Sequence, residues 1–291
     1  MRMKNFDFCV VGNLFVDRVQ IVNKFISGAS NASISVRDSL GGTYNTAKNL
    51  CELDNTTKIF LSTVIGNDKQ GLYALEVLDQ SKHDRKGFDY HARYDGDKTT
   101  AALIICETEK KIRSSIVDWG ACKTSDKFSL PESKWYHFMY LDTIHGITEE
   151  IFKKVPKGSI ISADFCLSSH TVEEKRRIMK MMKYVDYAIL SEDSANSITD
   201  QTLEVYSAME LGERVKKAAI VHSPKGSFVS SQGHDFICSS EYINDTKLDV
   251  LGAGDAFAAS FMYNTSKNPD SLQDNVKSAH AFATNYIQGD R

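Results

Sequence analysis

Short apolar runs alternate with amphipathic helical stretches along most of the chain, and this alternation restricts the fold more than any other feature. Residues 6–11, 59–65, 135–141, 159–164, 187–190 and 218–222 each read as a strand buried in a sheet. Helical spacing falls between or after them, over 44–53, 72–79, 149–155, 172–182 and about 202–211. Two more helices follow, one from 253 onward and one over 272–287. Strands alternating with helices predict an α/β fold, a mostly parallel central sheet flanked by helices. Three segments do not suit that core. Residues 19–26 and 33–37 are polar on one side, and 99–107 with 111–117 form a hairpin around Thr108-Glu109-Lys110. They predict a small β-sheet lid, inserted from about 17–38 and 92–118 into a single domain spanning 1–291. A second hairpin is expected from 228–231 and 236–238. The chain has only four prolines, and no Pro/Gly linker divides it.

In open parallel sheets, ligands bind beyond the carboxyl ends of the strands. Polar clusters fall at those ends here: Gly12-Asn13 to Asp17, Gly66 to Asp68, Asp142, Asp164, Ser191 to Asp193, His222 to Gly226, and Gly252 to Asp255. They would converge on one crevice. The last belongs to the most informative stretch, Asp249-Val250-Leu251-Gly252-Ala253-Gly254-Asp255-Ala256-Phe257. A glycine-rich turn opening a helix aims bare backbone N–H groups at one spot, and the helix dipole adds positive charge there. A carboxylate on the same first turn can take a proton from an alcohol. Anion cradle plus base is what phosphoryl transfer to a hydroxyl needs. Taken alone, the segment reads equally well as a plain helix start with an acidic first turn.

Composition excludes several classes. The formal net charge of −3 gives no basic excess to neutralise a nucleic-acid backbone. The run Glu173-Glu174-Lys175-Arg176-Arg177 reads as the solvated face of a helix. No apolar run approaches the roughly 20 residues that span a bilayer. The N-terminal run Phe8-Cys9-Val10-Val11 meets Gly12 and Asn13 at once and reads as a strand, not a signal peptide. Six cysteines without a CxxC pair point to reduced thiols in a cytoplasmic protein and away from a zinc site.

In their order along the chain, these marks resemble the PfkB, or ribokinase-like, family of carbohydrate and nucleoside kinases over nearly the whole length. Val11-Gly12 followed by Asp17 is similar to the family's opening strand. Gly41-Gly42 with Asn45 and Ala47 is similar to its di-glycine segment, one residue short before Asn45. Gly66-Asn67-Asp68-Lys69-Gln70-Gly71 fits its G-x-D-x-x-G, and the hairpin from Thr99-Thr100 through Arg113 to Gly120-Ala121 fits its lid strands. Asp249 to Asp255 fits D-x-x-G-A-G-D at every fixed position.

The resemblance implies a ribokinase-like fold and ATP-dependent phosphorylation of a small sugar or sugar derivative. Asp255 would be the base, with Gly252, Ala253 and Gly254 the anion hole. Asp17, Gly41, Gly42 and Asn45 would hold the acceptor. Arg113 would reach an anionic group on the substrate or the ATP phosphates, or face solvent as strand arginines commonly do. Lys225 and Gly226 would cover the nucleotide, and His280 would lie beside the adenine. Mg²⁺ would bridge the phosphates, and Asp249 would help hold a monovalent cation in the manner of potassium-activated members. The lid strands would pair across a homodimer. Two departures stand out. Ser191-Glu192-Asp193-Ser194 replaces the family's N-x-x-E, and Val221-His222-Ser223-Pro224-Lys225-Gly226 keeps only the last glycine of T-x-G-x-x-G. Two alternatives stay open: a nucleoside kinase of the same family, which would show an aromatic sandwich supplied by the lid, and a catalytically weak ligand-binding or regulatory relative.

Overall fold

The computed structural model describes residues 5–109, 112–240 and 251–289. Asp249 therefore lies outside the described residues, and the expectation of a cation there is not placed.

Thirteen strands and eight helices are described. The chain opens with β1 (Phe6–Gly12), β2 (Leu14–Val22), β3 (Ser35–Gly42), α1 (Thr43–Leu53), β4 (Ile59–Ile65), α2 (Lys69–Asp84) and β5 (Phe88–Tyr94). Then come β6 (Ala101–Glu107), β7 (Ile112–Asp118), β8 (Ser133–Met139), α3 (Glu149–Lys153), β9 (Ile160–Phe165), α4 (Val172–Met182) and β10 (Tyr187–Ser191). The last third carries α5 (Glu192–Thr199), α6 (Glu204–Gly212), β11 (Ala218–Ser223), β12 (Gly226–Ser231), β13 (His234–Ser239), α7 (Ala253–Lys267) and α8 (Leu272–Gln288).

Nine strands form one sheet in the order β13-β12-β11-β10-β9-β8-β1-β4-β5. From β11 to β5 every pairing is parallel, and the β11–β12 and β12–β13 pairings are antiparallel. Both faces are covered, which is why the central strands read as apolar on both sides. Alternate residues go to opposite layers. Cys9 and Val11 join the core under α3 to α6, while Phe8 and Val10 join the core under α1, α2, α7 and α8. The strand order turns between β1 and β8: the chain moves outward from β1 to β4 and β5, then returns to β8 on the other side. The crevice above that switch point is where an open α/β sheet binds ligands.

A four-stranded sheet, β3-β2-β6-β7, stands apart. Its second segment starts at Ala101, because residues 88–94, which overlap the expected lid boundary at 92, form β5 and pair with β4 at the edge of the large sheet. That strand and helix α5 escaped the sequence pattern. β5 is an edge strand, mostly half-exposed or exposed, and α5 is short and polar. Residues 15, 17 and 19 of β2 share one face by the two-residue period, as do 102 and 104 of β6 and 113, 115 and 117 of β7. Phe15, Val19, Ala102 and Ile104 form a small apolar cluster with Val117, Trp119, Tyr140 and Leu251 beside it. That face looks into the crevice.

Asp68 joins the two sheets. It caps α2 by accepting from the Gly71 amide at 2.8 Å. It also accepts from the amide and hydroxyl of Thr99, at 3.0 and 2.6 Å, just before β6 begins. Thr99 Oγ1 in turn accepts from the Gly66 amide at 3.0 Å. The G-x-D-x-x-G segment is thus a structural joint and lines no part of the crevice.

Candidate active site

Asp255 sits on the first turn of α7, 5% exposed, at the floor of a cavity of about 580 Å³. Gly252 is the N-cap, with φ 85°, and offers no side chain to cap the helix. The first intrahelical bond is Ala256 N to Gly252 O, so the amides of Ala253, Gly254 and Asp255 have no partner within the helix. Glycine is required at 252 on two counts. The backbone is left-handed, and a Cβ would come within 2.7 Å of the Tyr286 hydroxyl.

Each carboxylate oxygen of Asp255 has a donor. Asn45 Nδ2 donates to Oδ2 at 3.0 Å, and the Tyr140 hydroxyl donates to Oδ1 at 3.0 Å. Asn45 arrives from the first turn of α1. Tyr140 follows β8 directly with φ 53°, a left-handed conformation that costs a non-glycine residue on the order of 1–3 kcal/mol. Burial pushes the Asp255 carboxyl up to about 6, while Asn45, Tyr140 and the Arg113 guanidinium oppose the rise.

Asp17 faces Asp255 from the small sheet. It is also 5% exposed, and no described side chain or amide donates to it. Burial, and then the charge of Asp255, push it up to about 7, with Arg113 opposing. Gly41 lies directly behind it, where a Cβ would stand 2.2 Å from Asp17 Oδ2. Gly42 takes φ 61°, and a Cβ there would meet the Asn13 carbonyl at 2.5 Å. The di-glycine thus serves close approach and a positive φ at the end of β3. Asp164 lines the cavity from the end of β9, and burial with the nearby Asp255 charge raises it well above the ordinary carboxylate range. Burial thus raises all three acids of the cavity, and among them Asp255 is the one held by two side-chain donors.

Of the residues singled out from sequence, Asp17, Gly42, Asn45, Arg113, Gly252, Gly254 and Asp255 line this one cavity, and Gly41 and Ala253 sit immediately behind it. The nucleotide-side residues do not line it. Lys225 is exposed at the turn between β11 and β12, and Gly226 begins β12 with φ 146°. His280 is buried on α8, its Nε2 2.8 Å from Ser227 Oγ and its ring edge-on to Phe257. His222, from one of the polar clusters expected at the crevice, does line the cavity, stacked on Phe257. Burial drives both histidines down to about 4, so they are neutral.

The structure also brings in residues that no residue-type signal marked. Phe15, Trp119 and Tyr140 line the cavity, with Phe15 edge-on to Trp119 at 5.8 Å and to Tyr140 at 5.4 Å. A single aromatic residue carries no periodicity, and the apolar run over 135–141 takes Tyr140 into its strand, whereas the structure ends β8 at Met139. Asp142, in contrast, sits one layer back. It accepts from the amides of Cys166 and Leu167, at 3.0 and 2.7 Å, and its Oδ2 lies 3.1 Å from His170 Nε2. It braces the loop that lines the cavity rather than facing a ligand.

At the N-x-x-E positions, Ser191 lines the cavity and caps α5. The Ser194 amide donates to its Oγ at 3.3 Å, and the two hydroxyls lie 3.0 Å apart. Glu192 and Asp193 are exposed and do not line the cavity. Among the described residues, no group of three or more His, Cys, Asp or Glu side chains could hold a metal ion.

A parallel sheet with its cavity at the switch point, roofed by a small sheet and floored by a helix N-terminus bearing a buried carboxylate, is the frame of a ribokinase-like fold. The family model for pfkB family carbohydrate kinase matches residues 5–289, and the chain belongs to that family. Solved structures agree on the fold. Ribokinase from Thermotoga maritima matches at 19% identity and TM-score 0.72, covering 97% of this chain and 93% of its own. Adenosine kinase from Sinorhizobium meliloti matches at 18% and 0.77, covering 97% and 94%. Arabidopsis thaliana ribokinase, complexed with ribose and ATP, matches at 19% and 0.74, covering 98% and 93%. No match is found among curated protein sequences.

Proposed function

We propose that this protein transfers the γ-phosphoryl group of ATP to a hydroxyl of a small sugar or sugar derivative. The observation that carries the reading is Asp255: a buried carboxylate on the first turn of α7, next to three amides without helical partners and open to a cavity of about 580 Å³. In the reaction, Asp17 and Asn45 would accept from and donate to the acceptor hydroxyls and fix its pose. Asp255 would take the proton from the attacking hydroxyl as that oxygen bonds to the γ-phosphorus and the bond to the ADP oxygen breaks. The Gly252 to Gly254 backbone would meet the charge on the transferred group. Phosphoryl transfer asks chiefly for positioning and charge neutralisation, and these residues supply both. Lys225, Gly226 and His280 lie on the β11–β12 and α8 side, where the nucleotide would enter. Mg²⁺ and K⁺ are implied here only by the family resemblance, and no step is routed through either.

The test is Asp255→Asn, which keeps the shape and removes the base. An ADP-release assay on an active acceptor should show kcat fall by about 10²-fold or more. A loss below tenfold would remove Asp255 from the role.

One observation favours a nucleoside acceptor instead. Phe15 on β2 and Trp119, just past the end of β7, put aromatic surface on the acceptor side of the cavity. They meet edge to face, so a base would stack on one ring rather than slip between two. An ADP-release screen over sugars, amino-sugars, sugar acids and nucleosides separates the two acceptor classes. Binding without turnover across the whole panel would support a regulatory role.

A further inference from the structure

The Tyr140 hydroxyl is tied to the candidate base, and phosphoryl transfer itself calls for no tyrosine there. Three independent features hold the side chain in place. Its backbone takes φ 53° in the single step between β8 and the crevice. Its ring packs edge-on against Phe15 at 5.4 Å. Gly42 leaves the room, since a Cβ at 42 would lie 3.2 Å from Tyr140 Cε2. The result is a hydroxyl delivered 3.0 Å from Asp255 Oδ1, opposite the amide of Asn45 at 3.0 Å from Oδ2. Each carboxylate oxygen keeps a second lone pair for an incoming alcohol.

We infer that Tyr140 is the positioning residue of Asp255, fixing the plane of its carboxylate at the α7 N-terminus and keeping it ionised in neutral solution. The inference rests on the kinase reading for its catalytic consequence but not for its geometry. The groups around Asp255 make the donor matter. Asp17 from β2 and Asp164 from β9 bear on the same site, and either one, if ionised, would oppose the charge of Asp255, whereas the Cys166 thiol just beyond β9 is pushed up and stays neutral. His222 from β11 is neutral, and the hydroxyl of Tyr286 from α8 adds no charge beside Gly252. Arg113 from β7 is the cation that bears on Asp255, and it is carried on an exposed strand. Ionisation of Asp255 thus leans on two hydrogen bonds. The Tyr140 phenol can supply one at any ordinary pH, because burial and the Asp255 charge raise its own ionisation far out of range.

The experiment is Tyr140→Phe, which keeps the ring and its packing. Carbon-13 NMR of carboxyl-labelled aspartates, with the Asp255 signal assigned by its loss in Asp255→Asn, reads the titration directly. Losing one hydrogen bond to a buried carboxylate should raise the Asp255 midpoint by roughly one pH unit. The acid limb of kcat/KM, which reports the free enzyme, should move up by the same amount. The acceptor KM should stay near the wild-type value. A second variant carries 3-fluorotyrosine at 140, a stronger donor, and should move the midpoint down. If both variants titrate as the wild type does, Tyr140 is structural only and the inference fails, whatever happens to the rate. If the wild type releases no ADP with any acceptor while the NMR midpoint still moves, the kinase reading fails and the assignment of Tyr140 stands.

Discussion

At the scale of single residues, the site is built by close approach more than by side-chain variety. Gly41 shows this best. A Cβ there would stand 2.2 Å from the Asp17 carboxylate, and the acid cannot move back because Phe15 and Val19 fix its strand from the same face. Gly41→Ala should therefore swing Asp17 out of register with the acceptor. The expected outcome in steady-state kinetics is a rise in acceptor KM of about tenfold or more, with the KM for ATP nearly unchanged. Equal rises in both constants would show that Gly41 serves the fold rather than the acceptor. Asp17 and Asp255 stand where residue order leaves a pattern, a polar residue after an apolar strand and a glycine-rich helix start, whereas Asn45 and Arg113 are marked by the family resemblance. Tyr140 is marked by neither. Its role comes from a left-handed backbone and a partner 115 positions away, and neither leaves a trace in residue order.

At the scale of elements, the periodicities carried well where burial is two-sided or amphipathic. β4 and α4 run over the residues that the pattern marks, Ile59–Ile65 and Val172–Met182. They failed where one face meets water along an edge, as in β5, and where a helix is too short for its stripe to repeat, as in α5. The polar clusters after the strands divided by function. Those after β1, β9, β10 and β11 and before α7 reach the cavity, whereas Gly66 to Asp68 became the joint between sheets. That joint gives a prediction at this scale. Asp68→Ala removes an N-cap and the bonds to Thr99, so calorimetry should show stability lower by about 1–3 kcal/mol. The NMR midpoint of Asp255 should not move, since Asp68 stands outside the cavity. A variant as stable as the wild type would deny the joint its role.

At the scale of the whole molecule, the buried acids impose a pH dependence on stability. Asp17 and Asp255 are raised to about 7 and about 6 from an ordinary value of 3.8. Between these limits the folded chain holds more protons than the unfolded one, so this contribution to stability is full below about pH 4 and is lost as pH rises through 6 and 7. Asp17→Asn should remove part of the decline. Its Tm should exceed that of the wild type by roughly a few degrees at pH 8, with a smaller difference at pH 5. A Tm difference that is the same at both pH values would mean that Asp17 ionises normally in the fold. The cost is consistent with a site that keeps carboxylates dry for a ligand whose hydroxyls would satisfy them. Residue order alone determined the layered α/β plan, the separate small sheet and the glycine-rich helix start, because these depend on local period and on where apolar residues recur. Tertiary structure alone decided which distant donors meet Asp255, which polar clusters face the cavity and which acids are buried together. Those outcomes depend on distance and dielectric between groups remote in the chain, and no local pattern encodes either.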